Sequence, residues 1–233
     1  MEVHGLTKEF AGVRALDNIE FSVEKGEIHA LMGENGAGKS TLIKILTGLY
    51  KADAGQIIFD HEERKFTTVQ SAQKAGVSTI YQELNMIPYL TVSENIFLGH
   101  YPYNQSGIDW KKMHEDAQAL IDEVGIDIDV RKTLNNYSTA KQQIISIIRA
   151  VNFNCKLLIM DEPTSSLDTN EVEILFGIMD KMKAKGVSMI FISHRLDEVY
   201  KKCDRITVLK DGHYMGTWKT CLLYTSDAAD DRI

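Results

Sequence analysis

The sequence predicts an α/β fold in which helices cover a parallel β-sheet, and two observations indicate it. From residue 156 onward, short apolar segments alternate with longer helical ones, as is typical of parallel sheets covered by helices. Earlier in the chain, a glycine-rich loop at 33–41 joins an apolar stretch at 28–32 to an apolar-periodic stretch at 42–49, which gives the order strand, loop, helix. The 233 residues can form one domain with subdomains, or at most two domains.

The individual elements follow from local patterns along the chain. The first sixty residues are predicted to be rich in strands, and helical periodicity dominates 84–151 around a polar interruption at 101–108. The remaining predicted elements are a strand at 157–160, a helix at 170–185, a strand at 187–192, a helix at 196–202 and a hairpin at 206–218. The turn of that hairpin is Asp211-Gly212, a pair that favours a type I′ turn.

The glycine-rich loop is predicted to bind phosphate. Its sequence is Gly33-Glu34-Asn35-Gly36-Ala37-Gly38-Lys39-Ser40-Thr41. Glycine permits backbone conformations in which consecutive N–H groups point at phosphate oxygens, and a helix starting at Ser40 adds its positive end. Lys39 supplies charge for the β- and γ-phosphates, and the Ser40 hydroxyl can ligate Mg²⁺. The loop therefore predicts binding of a nucleoside triphosphate, in preference to an incidental glycine-rich turn.

Polar residues at the ends of three predicted strands complete a hydrolytic site. Asp161 and Glu162 follow the strand at 157–160, where Asp161 can hold Mg²⁺ through water and Glu162 can polarise the attacking water. A solvated strand end is the alternative for this pair, and the phosphate loop disfavours it. Gln82 follows the apolar segment 77–81 and can contact Mg²⁺ or the attacking water. His194 ends the strand that begins at 188 and is predicted to face the γ-phosphate, although an isolated histidine is usually structural or exposed.

Composition excludes several classes of function. The net charge is −7, with 26 basic and 33 acidic residues and no basic run, so a nucleic-acid partner is disfavoured. Apolar runs are too short to span a bilayer, and charged residues interrupt the N-terminus where a signal peptide would be apolar. The three cysteines lack metal-ligand spacing and are predicted to be reduced thiols. The cytosol is the expected compartment.

The order of these motifs resembles the ATP-binding cassette of ABC transporters over residues 1–218. The resemblance implies a P-loop NTPase (RecA-like) core, an antiparallel β subdomain and a helical subdomain at about 84–151. It implies that Gln82 is the Q-loop glutamine, that 166–168 is the D-loop and that His194 is the switch histidine. Asp168, the last D-loop residue, also fits a helix N-cap. Phe10 precedes Lys39 by 29 residues (39 − 10) and matches the aromatic position that stacks adenine, although an ordinary core aromatic is nearly as good an interpretation.

One motif departs from the family pattern of Leu-Ser-Gly-Gly-Gln. This chain has Tyr137-Ser138-Thr139-Ala140-Lys141, followed by two glutamines. In the family this signature reaches the nucleotide held by the partner cassette. Loss of both glycines limits backbone approach to phosphate, although Ser138 can still cap the helix. Glycine-poor signatures are usual in the monosaccharide importers of the ribose, xylose, arabinose and galactoside group, and segments 98–102 and 126–129 are most similar to galactose/methyl-galactoside importers.

The resemblance implies an ATPase that uses ATP and Mg²⁺ and powers monosaccharide import. The implied partners are membrane permease subunits, a second cassette and, indirectly, a sugar-binding protein, and the implied location is the cytoplasmic face of the membrane. The segment 81–96 is the expected permease-coupling surface, with packing inside the helical subdomain as its alternative.

The sequence also bears on other classes of nucleotide-binding protein and on the end of the chain. A soluble ABC-type ATPase is the alternative function; a GTPase would need an Asn-Lys-x-Asp segment, which is absent, and a nucleotide kinase would need acceptor arginines. Relatives usually carry two cassettes, and residues 219–233 do not resemble the expected continuation. They look like translated sequencing-adaptor sequence, or else a disordered native tail, and are assigned no function.

Overall fold

The computed structural model describes residues 1–80 and 86–221, and the chain divides into two compact units. The first unit comprises Met1–Thr79, Cys155–Glu162 and the described residues from Met179 onward. The second comprises Ile80–Asn154, as far as it is described, and Pro163–Ile178. The predicted boundaries at 84–151, 1–218 and 219–233 stay predictions, and Gln82 lies outside the described residues.

Strands and helices occur throughout the described chain. The strands are β1 (Glu2–Phe10), β2 (Val13–Ser22), β3 (Ile28–Met32), β4 (Ala54–Phe59), β5 (Glu62–Arg64), β6 (Val77–Ile80), β7 (Tyr103–Asn104), β8 (Gly107–Ile108), β9 (Leu157–Asp161), β10 (Ser188–Ile192), β11 (Arg205–Lys210) and β12 (His213–Lys219). The helices are α1 (Lys39–Leu46), α2 (Val69–Ala75), α3 (Val92–Ile96), α4 (Trp110–Val124), α5 (Thr139–Asn152), α6 (Thr169–Ala184) and α7 (Leu196–Lys202), with a 3₁₀ turn at Leu134–Asn136.

A six-stranded sheet carries the ends of the strands predicted to bear the site. Its order is β12-β11-β3-β10-β9-β6, and β3, β9, β10 and β11 run parallel, with β12 antiparallel at one edge. Strands β9 and β10 are apolar and buried almost throughout, as expected for parallel strands covered on both faces. The parallel direction brings their carboxyl ends to one edge, where Ile192 is in register with Asp161.

A second sheet in the first unit is antiparallel, in the order β2-β1-β4-β5. Buried side chains from both sheets and from α1 form one core cluster, which includes Leu6, Ile19, Leu42, Ile159 and Ile190. The helix α1 contributes to it because its apolar residues recur on one face. The core therefore fixes α1, and with it the loop that precedes α1.

The second unit is mainly helical, with α3, α4 and α5 in mutual contact. Each helix begins at a side-chain cap. The Thr91 hydroxyl accepts from the Glu94 amide, the Asp109 carboxylate from the Lys112 amide and the Ser138 hydroxyl from the Lys141 amide. Such caps satisfy amides that have no partner inside the helix.

Most predicted elements are confirmed, with differences of one or two residues at their ends. The final hairpin has Asp211 at φ 49° and Gly212 at φ 76°, as a type I′ turn requires. Elements that were not predicted include β5, α2 and the small β7–β8 hairpin. A signal for α2 was present, since Thr68 and Ser71 form a capping box and Gly76 ends the helix at positive φ.

Candidate functional site

The loop at 33–41 owes its shape to glycine. Gly33, Gly36 and Gly38 have φ values of 151°, 86° and 102°, which side-chain-bearing residues rarely adopt. A Cβ at Gly38 would lie 2.8 Å from the Ala15 carbonyl oxygen and 2.7 Å from the Leu16 Cδ2. A Cβ at Gly33 would overlap the Leu209 carbonyl. The loop is thus pressed against the chain around β2 and β11, at positions where only glycine fits.

Lys39 lies folded back across this loop. Its Nζ donates to the Gly33 carbonyl at 2.6 Å and to the Glu34 carbonyl at 2.9 Å. In α1, the Leu42 amide donates to the Gly38 carbonyl, so the amides of Ser40 and Thr41 belong to the first turn and have no acceptor within the helix. An ammonium group and first-turn amides at the end of one loop form a site suited to a polyphosphate.

Two acids and a histidine meet at the carboxyl ends of β9 and β10. The Glu162 amide donates to the Ile192 carbonyl at 2.9 Å, and Glu162 Oε1 lies 3.3 Å from His194 Nδ1. Glu162 has φ 49°, a left-handed conformation that costs about 1 kcal/mol or more and redirects its side chain. His194 is 70% exposed, whereas Glu162 is 29% exposed. Glu162 and His194, two of the predicted site residues, are therefore in contact at the ends of β9 and β10.

Asp161 is in the electrostatic field of the loop. Burial and the neighbouring Glu162 carboxylate raise the pKa of Asp161, while the charges of Lys39 and Lys44 oppose this rise. Strand β3, which leads into the loop, pairs in parallel with β10, and β10 pairs in parallel with β9, so the loop and the acidic strand end lie at the same edge of the sheet. Local positive charge at this point also favours the ionised carboxylate, the form that binds a cation.

The residues available for Mg²⁺ are oxygen donors, as that ion prefers. Ser40 offers a hydroxyl and Asp161 a carboxylate. Mg²⁺ usually takes one or two carboxylates together with substrate phosphates, and a full cage of protein ligands is uncommon. Within 1–80 and 86–221, no group of three or more His, Cys, Asp and Glu residues could hold a metal by itself. The donor set thus fits a magnesium ion that shares its ligands with a phosphate substrate.

Sequence reasoning did not predict how the turn around His194 is held. Glu198 is 3% exposed, and its Oε2 accepts from the Ser193 hydroxyl at 3.2 Å. The Arg195 amide in turn donates to Ser193 Oγ at 3.1 Å, and the Arg195 guanidinium pairs with Glu198 Oε1 at 2.7 Å. These contacts enclose His194 in a fixed turn. No short motif signals such a contact, because the burial of Glu198 depends on the whole unit.

Phe10 lies at the end of β1 and is 39% exposed, so it is not an ordinary core aromatic. Its ring makes an edge-to-face contact with Tyr50, and the Lys8 ammonium lies over it. An exposed, supported ring of this kind can stack on a nucleobase.

The second unit contains the remaining predicted motifs. Ser138 caps α5 as predicted, and the Tyr137 hydroxyl donates to the Asp129 carbonyl at 2.8 Å. The Lys141 ammonium donates to the Asp127 carbonyl at 2.9 Å. Lys141 belongs to the segment that departs from the family pattern, and its side chain binds within its own unit. Asp168 is confirmed as the cap of α6, since its carboxylate accepts from the Glu171 amide at 2.9 Å.

No helix in the described ranges is both long and apolar enough to cross a membrane.

The sequence of this chain is similar to those of known transport proteins. Residues 16–165 match the sequence model of a family described as ABC transporter. The chain is 48% identical to the galactofuranose transporter ATP-binding protein YtfR of Escherichia coli (strain K12), over 96% of this chain and 45% of that protein. It is 50% identical to the fructose import ATP-binding protein FruK of Bifidobacterium longum, over 91% of this chain and 41% of that protein. It is 46% identical to the galactose/methyl galactoside import ATP-binding protein MglA of Sodalis glossinidius, over 93% of this chain and 43% of that protein.

Solved structures give the same fold. The chain superposes on MJ1267, an ATP-binding cassette of an ABC transporter, with a TM-score of 0.86 and 26% identity over 98% of this chain and 94% of that one. It superposes on the dimeric structure of the bacterial ABC transporter cassette MJ0796 with a TM-score of 0.80 and 23% identity, covering 94% of this chain and 98% of that one. These likenesses confirm the predicted fold class. The chain spans less than half the length of the curated relatives described above.

Proposed function

This chain belongs to the ABC transporter family, and on that premise we propose that it binds and hydrolyses ATP to power monosaccharide import through a membrane permease. The relatives named above are ATP-binding proteins for the import of sugars, which supports a sugar as the cargo. Their identities to this chain lie within a few per cent of each other, although their sugars differ. We propose a galactose/methyl-galactoside or ribose-like sugar within that class.

Nucleotide binding rests on the phosphate loop. The residues that we propose to contact ATP are Gly33, Glu34, Asn35, Gly36, Ala37, Gly38, Lys39, Ser40 and Thr41, with Phe10 against the base. The ammonium of Lys39 now satisfies two loop carbonyls, and a β,γ-phosphate group would take over those contacts with a full negative charge. The donor is charged in both cases, and an acceptor with a full negative charge attracts it more strongly than a carbonyl dipole does.

Hydrolysis rests on the group at the ends of β9 and β10. Glu162 accepts a hydrogen bond from the attacking water and orients its oxygen in line with the γ-phosphorus. His194, held against Glu162 at 3.3 Å, positions that carboxylate and faces the γ-phosphate. When bound by Ser40, Asp161 and Gln82, Mg²⁺ would neutralise charge on the phosphate oxygens. Lys39 stabilises the charge that builds up on the transferred group.

The proposed partners are a second cassette and permease subunits, with a sugar-binding protein acting indirectly and no nucleic acid. A dimeric cassette among the solved structures supports the first. We propose a peripheral location on the cytoplasmic face of the membrane. Within the proposed coupling surface at 81–96, Tyr89 is 82% exposed and Ile87 is 41% exposed. The Asn95 side chain binds the Ile87 amide and carbonyl, which fixes the chain around these two exposed apolar residues.

The observation that carries this proposal is the convergence, in one unit, of the Lys39 loop with the Glu162–His194 pair. The test is ATPase activity of the purified chain with Mg²⁺, alone and together with a second cassette and permease in lipid. Sugar-loaded binding proteins are then added one at a time. Stimulation by one of them supports an importer and identifies its sugar. Strong activity that ignores both permease and sugar would favour the alternative, a soluble ABC-type ATPase.

A further inference from the structure

The Phe10 ring is held by residues that no nucleotide motif includes. Its centroid lies 5.3 Å from that of Tyr50, at an interplanar angle of 65°, which is a favourable edge-to-face geometry. The Lys8 ammonium lies over the Phe10 ring at 5.2 Å from the centroid, within the range of a cation–π contact. The ring thus has an aromatic neighbour and a cation over it, yet remains 39% exposed.

Both neighbours are fixed by the chain that follows α1. Asp53 Oδ1 pairs with the Lys8 ammonium at 2.8 Å, and Asp53 Oδ2 accepts from the Glu9 amide at 2.7 Å. The Asp53 amide also donates to the Thr7 carbonyl at 2.9 Å. The Tyr50 amide donates to the Lys44 carbonyl at 2.9 Å, and the Lys44 ammonium lies 5.3 Å from the Tyr50 ring. The end of β1 is therefore fastened to the same helix that begins in the phosphate loop.

We propose that Tyr50 is a positioning residue for the nucleotide base, because with the Lys8–Asp53 pair it holds the Phe10 ring in the one orientation that stacks the base. This inference rests on the proposed function, since it concerns the base of the same nucleotide. An unsupported ring at a strand end would lose rotamer freedom on binding, whereas a ring ordered beforehand loses less. Lys8 lies over the ring, and the base would stack on the part of the ring that remains exposed.

The expected effects follow from the strength of each contact. Loss of an edge-to-face pair of this kind corresponds to about a three- to tenfold weaker affinity. Loss of the stacking ring itself corresponds to a larger change, about tenfold to a hundredfold. Neither change should alter binding of inorganic triphosphate, which has no base and contacts only the phosphate loop.

The test compares the dissociation constants of ATP and inorganic triphosphate by calorimetry, using the full chain. The variants are Tyr50→Leu, Tyr50→Phe and Phe10→Ala, and the matched control is Tyr103→Leu, which removes an exposed tyrosine (72% exposed) from β7. We expect Tyr50→Leu to weaken ATP binding three- to tenfold with triphosphate unchanged. Tyr50→Phe keeps the ring edge and should bind ATP as the parent chain does. In a Phe10→Ala background, Tyr50→Leu should add little, because the two residues act as one unit.

Several results would overturn the proposal. Equal weakening of ATP and triphosphate by Tyr50→Leu would mean that Tyr50 acts through the phosphate loop or the fold. Unchanged ATP binding, or additive effects with Phe10→Ala, would show that Tyr50 does not act through Phe10. If the parent chain bound ATP and triphosphate equally, base stacking would be wrong while the phosphate site would stand. If it bound neither, the proposed function would fail as well.

Discussion

Replacement of Gly38 by alanine tests whether the phosphate loop is shaped by its surroundings. Gly38 has φ 102°, a conformation that costs an L-residue about 1–2 kcal/mol. The added Cβ would also stand 2.8 Å from the Ala15 carbonyl oxygen. Because that atom belongs to the backbone and cannot rotate away, overpacking adds about 1–3 kcal/mol. Gly38→Ala should therefore lower the free energy of unfolding by about 2–5 kcal/mol.

Gly36 offers a control within the same loop. Its φ is also positive, at 86°, but an added Cβ would meet no atom within 4 Å. Gly36→Ala should then show only the conformational cost, about 1–2 kcal/mol. The difference between the two variants isolates the steric contribution of Ala15 and Leu16.

Urea denaturation followed by circular dichroism measures this difference. With a slope of about 3 kcal/mol per molar urea, a 2 kcal/mol gap moves the midpoint by about 0.7 M. ATP binding to both variants should be recorded in parallel, since Gly38→Ala also displaces the loop. Equal midpoints for the two variants would refute the reasoning, because they would mean that the loop moves away from β2 without cost.

Three further predictions concern catalysis, binding and pH. Glu162→Gln should slow ATP turnover about a hundredfold or more in the assembled transporter while ATP binding is retained; normal turnover would remove Glu162 from its proposed role. Lys39→Ala should weaken both ATP and inorganic triphosphate at least about tenfold in calorimetry, and a loss confined to ATP would contradict a phosphate contact. Burial alone would raise the pKa of Glu27, but the hydrogen bonds from His29 and from the Glu24 amide, with the charges of His29 and Arg205, outweigh it and hold the pKa below the usual 4.5. The stability that Glu27 contributes is thus present above pH 4.5 and is lost as pH falls through its lower pKa in the folded state. Glu27→Gln should therefore flatten the acid side of a curve of unfolding free energy against pH. An unchanged curve would disprove this role of Glu27.

The sequence predicts those parts of the fold and of the proposed site that depend only on neighbouring residues. The phosphate loop could be predicted because its glycine, lysine and hydroxyl residues have a fixed spacing. Gly33 and Gly38 have positive φ, which explains why glycine stands at those positions. The turn at Asp211-Gly212 could be predicted in the same way, since these two residues themselves favour the positive φ values of a type I′ turn. Ser138 could be predicted as a cap because capping requires only the next three residues.

The missed parts depend on contacts between distant segments. Lys8 and Asp53 are 45 positions apart, and nothing near either residue indicates that they fasten Phe10. Glu198 has the local appearance of a solvated helix residue, and only the folded unit buries it under Ser193. Glu162 adopts a positive φ that the residues next to it in the sequence do not predict. Propensity and motif spacing contain no information on these tertiary constraints.

The order of strands in the six-stranded sheet also decides when the site can form during synthesis. β10 lies between β3 and β9, although it follows both of them in the chain. A nascent chain that has been made only as far as residue 187 has its phosphate loop and its two acids but no strand to join them. The flanks of β3 and β9 that receive β10 are unpaired at that stage, and open apolar edges attract other chains. Arrival of β10 sets Ile192 beside Asp161, so a single late pairing event both assembles the proposed hydrolytic end of the site and closes the strand edges on either side of β10.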